Sequence, residues 1–290
     1  MPSSASSSAQ KARQALAAQL REIRLDAGLT GRALALAAGW HGVSKVSKIE
    51  HGVRPPSAED IRVWCRVCGV PPKRTEELLA EQRAAAGMWT DSRRINRAGL
   101  RAAQKSVRPA FERSALIRSY QPRMIPGLLQ TASYATAVLT AVHQRHRVQV
   151  DDVAEAVAER MDRQGVLHKT GHRFAFLLEE AVLRYRLYDR EVLVEQLAHL
   201  ERAMRLPSAS LGIIPISAVR ASSAHAAPVE GFTMFDSELV SVELVSGHLG
   251  LTQSWEIALY AERFSALAAV AVYGAHARKL IAAAQEALSK

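Results

Sequence analysis

The chain has 290 residues, of which 48% are hydrophobic and 23% charged, enough to support a sizeable core and more than one small module. Its net charge of +10 is unevenly placed: residues 1–86 carry 13 Lys+Arg against 8 Asp+Glu, residues 87–150 carry 11 against 2, and residues 151–290 carry 14 against 18. A basic first half joined to a neutral-to-acidic second half suits a polyanion-binding module followed by a second domain. The most apolar segment, Ala266 to Ala275, is shorter than the roughly 18 residues a membrane span requires.

In chain order, residues 1–9 (MPSSASSSA) have neither the basic nor the apolar region of a secretion signal and predict a disordered tail. The protein is accordingly expected in the cytoplasm, associated with the nucleoid. A first domain is expected over residues 10–86. Leu16, Leu20 and Ile23 share one face of a helix ending at Gly28. Thr30 caps a second helix whose Ala35 and Ala38 permit close approach. Trp40-His41-Gly42 makes a turn into a third helix, which faces Val46 and Ile49 inward and carries Ser44, Lys45, Ser47 and Lys48 on its polar side. Gly52 and Pro55-Pro56 end it, and a capping box, Ser57-x-x-Asp60, opens a fourth helix that buries Ile61 and Trp64. Cys65 and Cys68 form a C-x-x-C on one face of that helix. Without a second such pair or a nearby pair of histidines, they read as small core side chains and not as zinc ligands.

Two short helices joined by a glycine-containing turn, the second polar on one side, suit insertion of a recognition helix into the major groove. His41, Val43, Ser44 and Lys45 are the residues placed to reach base edges, with Ser47 beside them. Thr30, Arg32 and Lys48 are placed to hold phosphates and set the register, and Arg54 is a further expected DNA contact. The run from Leu20 to Val70 resembles the lambda-repressor-like (XRE) helix-turn-helix family through L-x-x-x-R, G-L-T, S-K-V-S-K-I-E-x-G and the P-S before helix four. The resemblance implies a five-helix fold, with Glu50 as a structural ion-pair partner. His41-Gly42-Val43 makes the turn about one residue longer than in many members, and Val43 stands where a glutamine often leads the helix.

Residues 87–120 predict a basic helical linker bearing Arg93, Arg94, Arg97, Arg101, Lys105 and Arg108, compatible with helix as far as Tyr120. A second domain is expected over residues 121–290. Proline breaks at Pro122 and Pro126-Gly127 precede a helix with Leu128, Leu129, Tyr134, Ala135 and Val138 as its stripe. A helix over 151–164 and another over 190–205 are followed by helices from about Thr252 to Leu288. RFAFLL, SLGIIPI, GFTMF and LVSVELV are strand candidates, which gives an α+β sandwich of about four or five strands behind a mainly α first half.

The P-G-L-L-Q-T-x-x-Y-A run from Pro126 to Ala135 resembles the second domain of an actinobacterial group of regulators described as antitoxin-like. Gln104, Glu112, Ala115, Arg160-x-x-Arg163-Gln164, Glu180-Ala181-x-Leu183-Arg184, Gln196-Leu197-x-x-Leu200, Ile214-Pro215, Gly231-Phe232 and Val242-Glu243 continue the likeness. It implies a small partner protein and autoregulatory DNA binding.

No nucleotide-binding loop, nucleophile elbow or zinc-protease motif occurs, so no catalytic residue and no cofactor or metal is assigned. His168 and His172 read as a loop pair. Glu179-Glu180 reads as an acidic start to a helix. The function expected is sequence-specific transcriptional regulation through double-stranded DNA by a homodimer. Its second domain would receive a protein or small-molecule signal, the latter in a pocket near Trp255, Tyr260 and Phe264. The alternative is an antitoxin-like protein acting mainly on a small partner.

Overall fold

In the computed structural model, which describes residues 8–91, 96–220, 226–245 and 247–289, the first apolar stripe forms one face of α1 (Ser8–Asp26), with Leu16 and Leu20 buried and Ile23 packed at their edge. The expected tail lies outside the described residues except for Ser8 and Ala9, which start this helix. Helices α2 (Gly31–Ala37), α3 (Ser44–Glu50), α4 (Ala58–Val67) and α5 (Pro72–Met88) follow. They share one core of Leu34, Val46, Ile49, Ile61, Trp64 and Leu78. Both expected caps are present: Thr30 accepts from Ala33 N at 3.1 Å, and Ser57 and Asp60 exchange backbone bonds at 3.0 and 3.1 Å. The indole of Trp64, fully buried, satisfies its one donor on the Leu20 carbonyl at 3.0 Å.

These five helices belong to one unit, Met1–Thr90; a second unit spans Asp91–Lys290. A short strand β1 (Trp89–Asp91) stands where the two divide. In the second unit, α6 (Leu100–Arg113) starts at Gly99, whose φ of 94° a side chain would resist. The Asp152 carboxylate there accepts from Leu100 N at 2.8 Å and Arg101 N at 2.9 Å, as an N-terminal cap supplied from elsewhere in the chain.

The sheet of this unit contains β2 (Leu116–Gln121), β3 (Arg173–Glu179), β4 (Ala209–Ile214), β5 (Phe232–Phe235), β6 (Leu239–Leu244) and β7 (Gly247–Leu251). The strands lying wholly in the unit run β7-β6-β5-β2-β3-β4. β2, β3 and β4 are mutually parallel, and β5, β6 and β7 continue antiparallel from β2. On one face Ile117, Phe174, Phe176, Leu178, Leu211 and Ile213 pack with α7 (Ala132–His146), α10 (Arg190–Ala203) and α12 (Gly274–Ser289). On the other, Tyr120, Leu177, Ile214, Phe232, Met234 and Val240 pack with α11 (Ser254–Ala269). Among the described residues the remaining α-helices are α8 (Val153–Arg163) and the one-turn α9 (Glu180–Arg184).

The α+β class holds, and all four strand candidates are strands, but β1 falls within the expected helical linker, and two of the strands lying wholly in this unit also escaped the sequence reading. Residues Leu116–Gln121, expected as part of a helical linker, form β2 in the middle of the sheet. Ile117 and Tyr120 are both buried, on opposite faces, and three-residue spacing fits a helix stripe as well as a strand covered on both sides. The second, β7, is GHLGL, whose glycines gave no strand signal. Leu128 and Leu129 precede α7 on a separate 3-10 turn (Gly127–Leu129), and Thr131 caps the helix by accepting from Tyr134 N at 3.2 Å. Arg93 and Arg94 lie outside the described residues.

Candidate nucleic-acid interface

The turn between α2 and α3 is made by two glycines in the left-handed region, Gly39 at φ 66° and Gly42 at φ 90°. They let Trp40 fold back so that its N–H bonds the Ala35 carbonyl at 2.8 Å and its ring meets Trp64, centroids 6.0 Å apart. Close approach of the two helices also requires Gly31: a Cβ there would lie 3.2 Å from Val43 Cγ2 and 3.5 Å from Val46 Cγ1. The start of α2, with Thr30 and Arg32, is thereby brought beside the start of α3.

Along α3 the two faces separate at helical spacing. Val46 and Ile49 are buried; Ser44, Ser47 and Lys48 are exposed, and His51 continues their stripe one turn on. His51 Nδ1 lies 2.7 Å from the Ser47 carbonyl, which fixes the ring at the end of the helix. His41, Val43, Thr30, Arg32 and Arg54 are exposed as well. Among the described residues Arg32, Lys48 and Arg54 make no ion pair, so their charge is directed to solvent.

Lys45 is the exception among the residues read as base contacts. Its ammonium sits 2.5 Å from Asp60 Oδ1 and 4.1 Å from the centroid of the Trp40 ring. Those two partners occupy the charge, and the side chain clamps the beginning of α3 to α4. Burial pushes the Asp60 carboxyl up, but the Lys45 ammonium and the Ser57 donors outweigh it and hold the group below its ordinary value. A depressed folded value contributes stability that is present above the unfolded pKa and lost as pH falls through the folded one. Lys45→Met is therefore expected to cost about 1–2 kcal/mol at neutral pH, and the deficit against wild type to shrink as pH falls and the Asp60 carboxyl protonates. Melting the variant across pH 3–7 checks both.

Glu50 takes the structural role the resemblance implied. Arg24 Nε donates to its Oε1 at 2.5 Å and Nη2 to its Oε2 at 2.9 Å, while Arg24 Nη1 donates to the Leu29 carbonyl at 2.7 Å. One guanidinium thus ties the end of α1, the loop before α2, and α3 together.

Other candidates resolve into packing. Cys65 is buried and Cys68 half-buried, both free, and burial pushes the Cys68 thiol up to about 11, away from thiolate chemistry. Among the described residues no group of three or more His, Cys, Asp or Glu is placed to hold a metal, and no helix is long and apolar enough to cross a membrane. Glu179 is bonded by Arg220 at 2.6 Å and by the Tyr120 hydroxyl at 2.8 Å; Glu180 takes Arg184 at 2.7 Å and Ile216 N at 3.0 Å. His172 Nδ1 lies 2.8 Å from the Ser114 carbonyl. Phe264 and Tyr260 pack on Phe232, whereas Trp255 is 58% exposed, so the three aromatics do not line one pocket. Arg108, from the basic bridge, is engaged by Glu112, Glu159 and Asp162 at 2.8, 3.2 and 2.5 Å. Arg97, Arg101 and Lys105 are exposed.

Residues 15–78 match a family described as a helix-turn-helix domain. Residues 110–283 match one described as a domain of unknown function, DUF5753. No curated protein and no solved structure matches the chain.

Proposed function

Since the chain belongs to the DUF5753 family, whose domain is here preceded by a helix-turn-helix domain, we propose that it is a sequence-specific DNA-binding transcriptional regulator whose second domain receives a signal. The observation that carries this is the exposed stripe of α3, Ser44, Ser47, Lys48 and His51, opposite the buried Val46 and Ile49 and accompanied by the unpaired cations Arg32 and Arg54. An α-helix fits the major groove, where hydroxyls bond base edges and a small apolar side chain meets a thymine methyl. Ser44, Ser47 and His41 are the base-reading residues, Val43 the methyl contact, and Thr30, Arg32, Lys48 and Arg54 the phosphate contacts. Lys45 positions the helix and does not read sequence.

A seven-residue helix reads few base pairs, so the functional unit in this account is a homodimer on a pseudo-palindromic operator, acting in the cytoplasm. This reading assigns no residue a catalytic role. Ser44→Ala and Ser47→Ala each weaken operator binding by about 1–3 kcal/mol, roughly 5- to 150-fold, and leave binding to competitor DNA nearly unchanged. Titration of both DNAs at one salt concentration tests this, and equal losses on the two would contradict the assigned contacts.

A further inference from the structure

Residues far apart in the sequence, from Gln104 to Gln196, converge in the second unit around two arginines. Arg160 and Arg163 lie three residues apart on α8 and face the same way. Arg160 Nε donates to Gln104 Oε1 at 3.0 Å and Nη1 to Gln130 Oε1 at 2.6 Å. Arg163 Nη1 donates to the Gln104 carbonyl at 2.9 Å and Nη2 to Gln104 Oε1 at 3.2 Å. Gln164 Nε2 donates to the carbonyls of Gly127 and Gln130 at 2.9 and 2.7 Å. Gln196 accepts from Thr131 N at 2.8 Å and donates to the Leu129 carbonyl at 2.7 Å. Together they fix the 127–131 turn against the pair. A Cβ at Gly127 would lie 3.5 Å from Arg163 Nη2 and 3.8 Å from Arg160 Nε, so bare backbone approaches both guanidiniums.

Every one of those partners is neutral. Among the described residues neither guanidinium makes an ion pair; Glu159, whose charge reaches Arg163, and Asp162 are 3.2 and 2.5 Å from Arg108. Arg163 is 6% exposed, and its Nε is buried without a hydrogen-bond partner. Two neighbouring cations, hydrogen-bonded only to amides and with the Arg163 guanidinium 5.3 Å over the Phe111 ring, lack the paired counter-charge that burial ordinarily demands. Burial lowers both below the usual guanidinium value, and for Arg163 the repulsion from Arg160 adds to it. Glu243 is near enough to be felt by Arg160 but does not pair with it. Arg160 is the more open of the two, and among the described residues its Nη2 has no protein partner.

We propose that Arg160, backed by Arg163, seats the carboxylate or phosphate group of a small ligand, held through Nη2 of Arg160 while Gln104 and Gln130 keep that guanidinium in place. A charge-assisted bond from that nitrogen suits a carboxylate or a phosphate oxygen alike, which is why the chemistry names both. This site goes beyond the DNA-binding reading and does not rest on it.

The test uses the full chain labelled with ¹⁵N at arginine, titrated separately with inorganic phosphate and with acetate against chloride at constant ionic strength. The expected result is a saturable shift of the Arg160 and Arg163 Nε resonances with one or both anions, while those of exposed Arg32 and Arg54 stay still. Which anion saturates assigns the ligand as phosphate or carboxylate. In parallel, the melting temperature of the wild type rises saturably with that anion, and Arg160→Gln loses the saturable part. Should Arg160→Gln not fold, the wild-type resonances decide alone. Shifts that are absent, or that grow linearly and equally at all arginines, would overturn the proposal and leave the pair as a clamp on the 127–131 turn.

Discussion

Arg24→Ala lowers the stability of the first unit by about 3 kcal/mol, enough to bring its melting temperature down by more than about 10 °C. The loss follows from what stays behind. The Glu50 carboxylate is almost wholly buried and receives two of its hydrogen bonds from the Arg24 guanidinium, at 2.5 and 2.9 Å. Without them it is an uncompensated charge in a poorly solvated place, and the Leu29 carbonyl loses its donor as well. Three elements come apart at once, because the guanidinium joins the end of α1 to the loop before α2 and to α3. Arg24→Lys keeps the charge but not the fork and falls between wild type and Arg24→Ala. The double replacement Arg24→Met with Glu50→Leu recovers much of the loss, since removing both charges removes the desolvation cost with them. Thermal unfolding of these four proteins and of the Arg24→Met and Glu50→Leu single variants checks the order. Additive single-variant losses in the double variant would show that the two side chains do not act as a pair.

Binding to any duplex DNA steepens with falling salt, and alanine at Arg32, Lys48 and Arg54 abolishes most of that dependence. Three unpaired cations per protomer, six in a dimer, predict a slope of log K against log salt of about −5. Between 50 and 200 mM salt the wild type then loses affinity by roughly 10³-fold. Each single alanine variant flattens the slope by about two in the dimer and weakens operator and competitor DNA alike. Lys45→Met leaves the slope alone, because its ammonium is already neutralised by Asp60 at 2.5 Å. A slope unchanged in the triple variant would move the phosphate contacts elsewhere, Arg97, Arg101 and Lys105 being the exposed cations next in line.

How much of this was legible in the sequence depended on whether one periodicity or two fitted each stretch. The stripes of α1 and α4, the Thr30 and Ser57 caps and the glycine turn are local, single-valued signals, and each appears where the residues placed it. β2 was not legible, because Leu116, Ile117 and Tyr120 satisfy both a helix and a strand buried on two faces; only pairing with β3 and β5 decides. The pairing of Lys45 was not legible for a related reason. It lies on the flank of α3 between the outward Ser44 and the inward Ile49, and the partner that turns it inward, Asp60, showed in the sequence only its capping role. His51 was missed because Gly52 marked it as the end of the helix, yet the exposed stripe runs through it. The arginine pair was visible only as spacing within a resemblance. That its partners are all amides is a matter of tertiary contact, which no spacing records.

Recognition through α3 is tested most directly by selection of bound duplexes from a random library by the full-length protein at near-physiological salt, repeated with the Ser44→Ala, Ser47→Ala double variant. The prediction is an enriched sequence with two related half-sites about 10 base pairs apart, centre to centre, that the variant no longer selects. Salt-sensitive binding with no enriched sequence, or the same sequence enriched by the variant, would contradict recognition through α3.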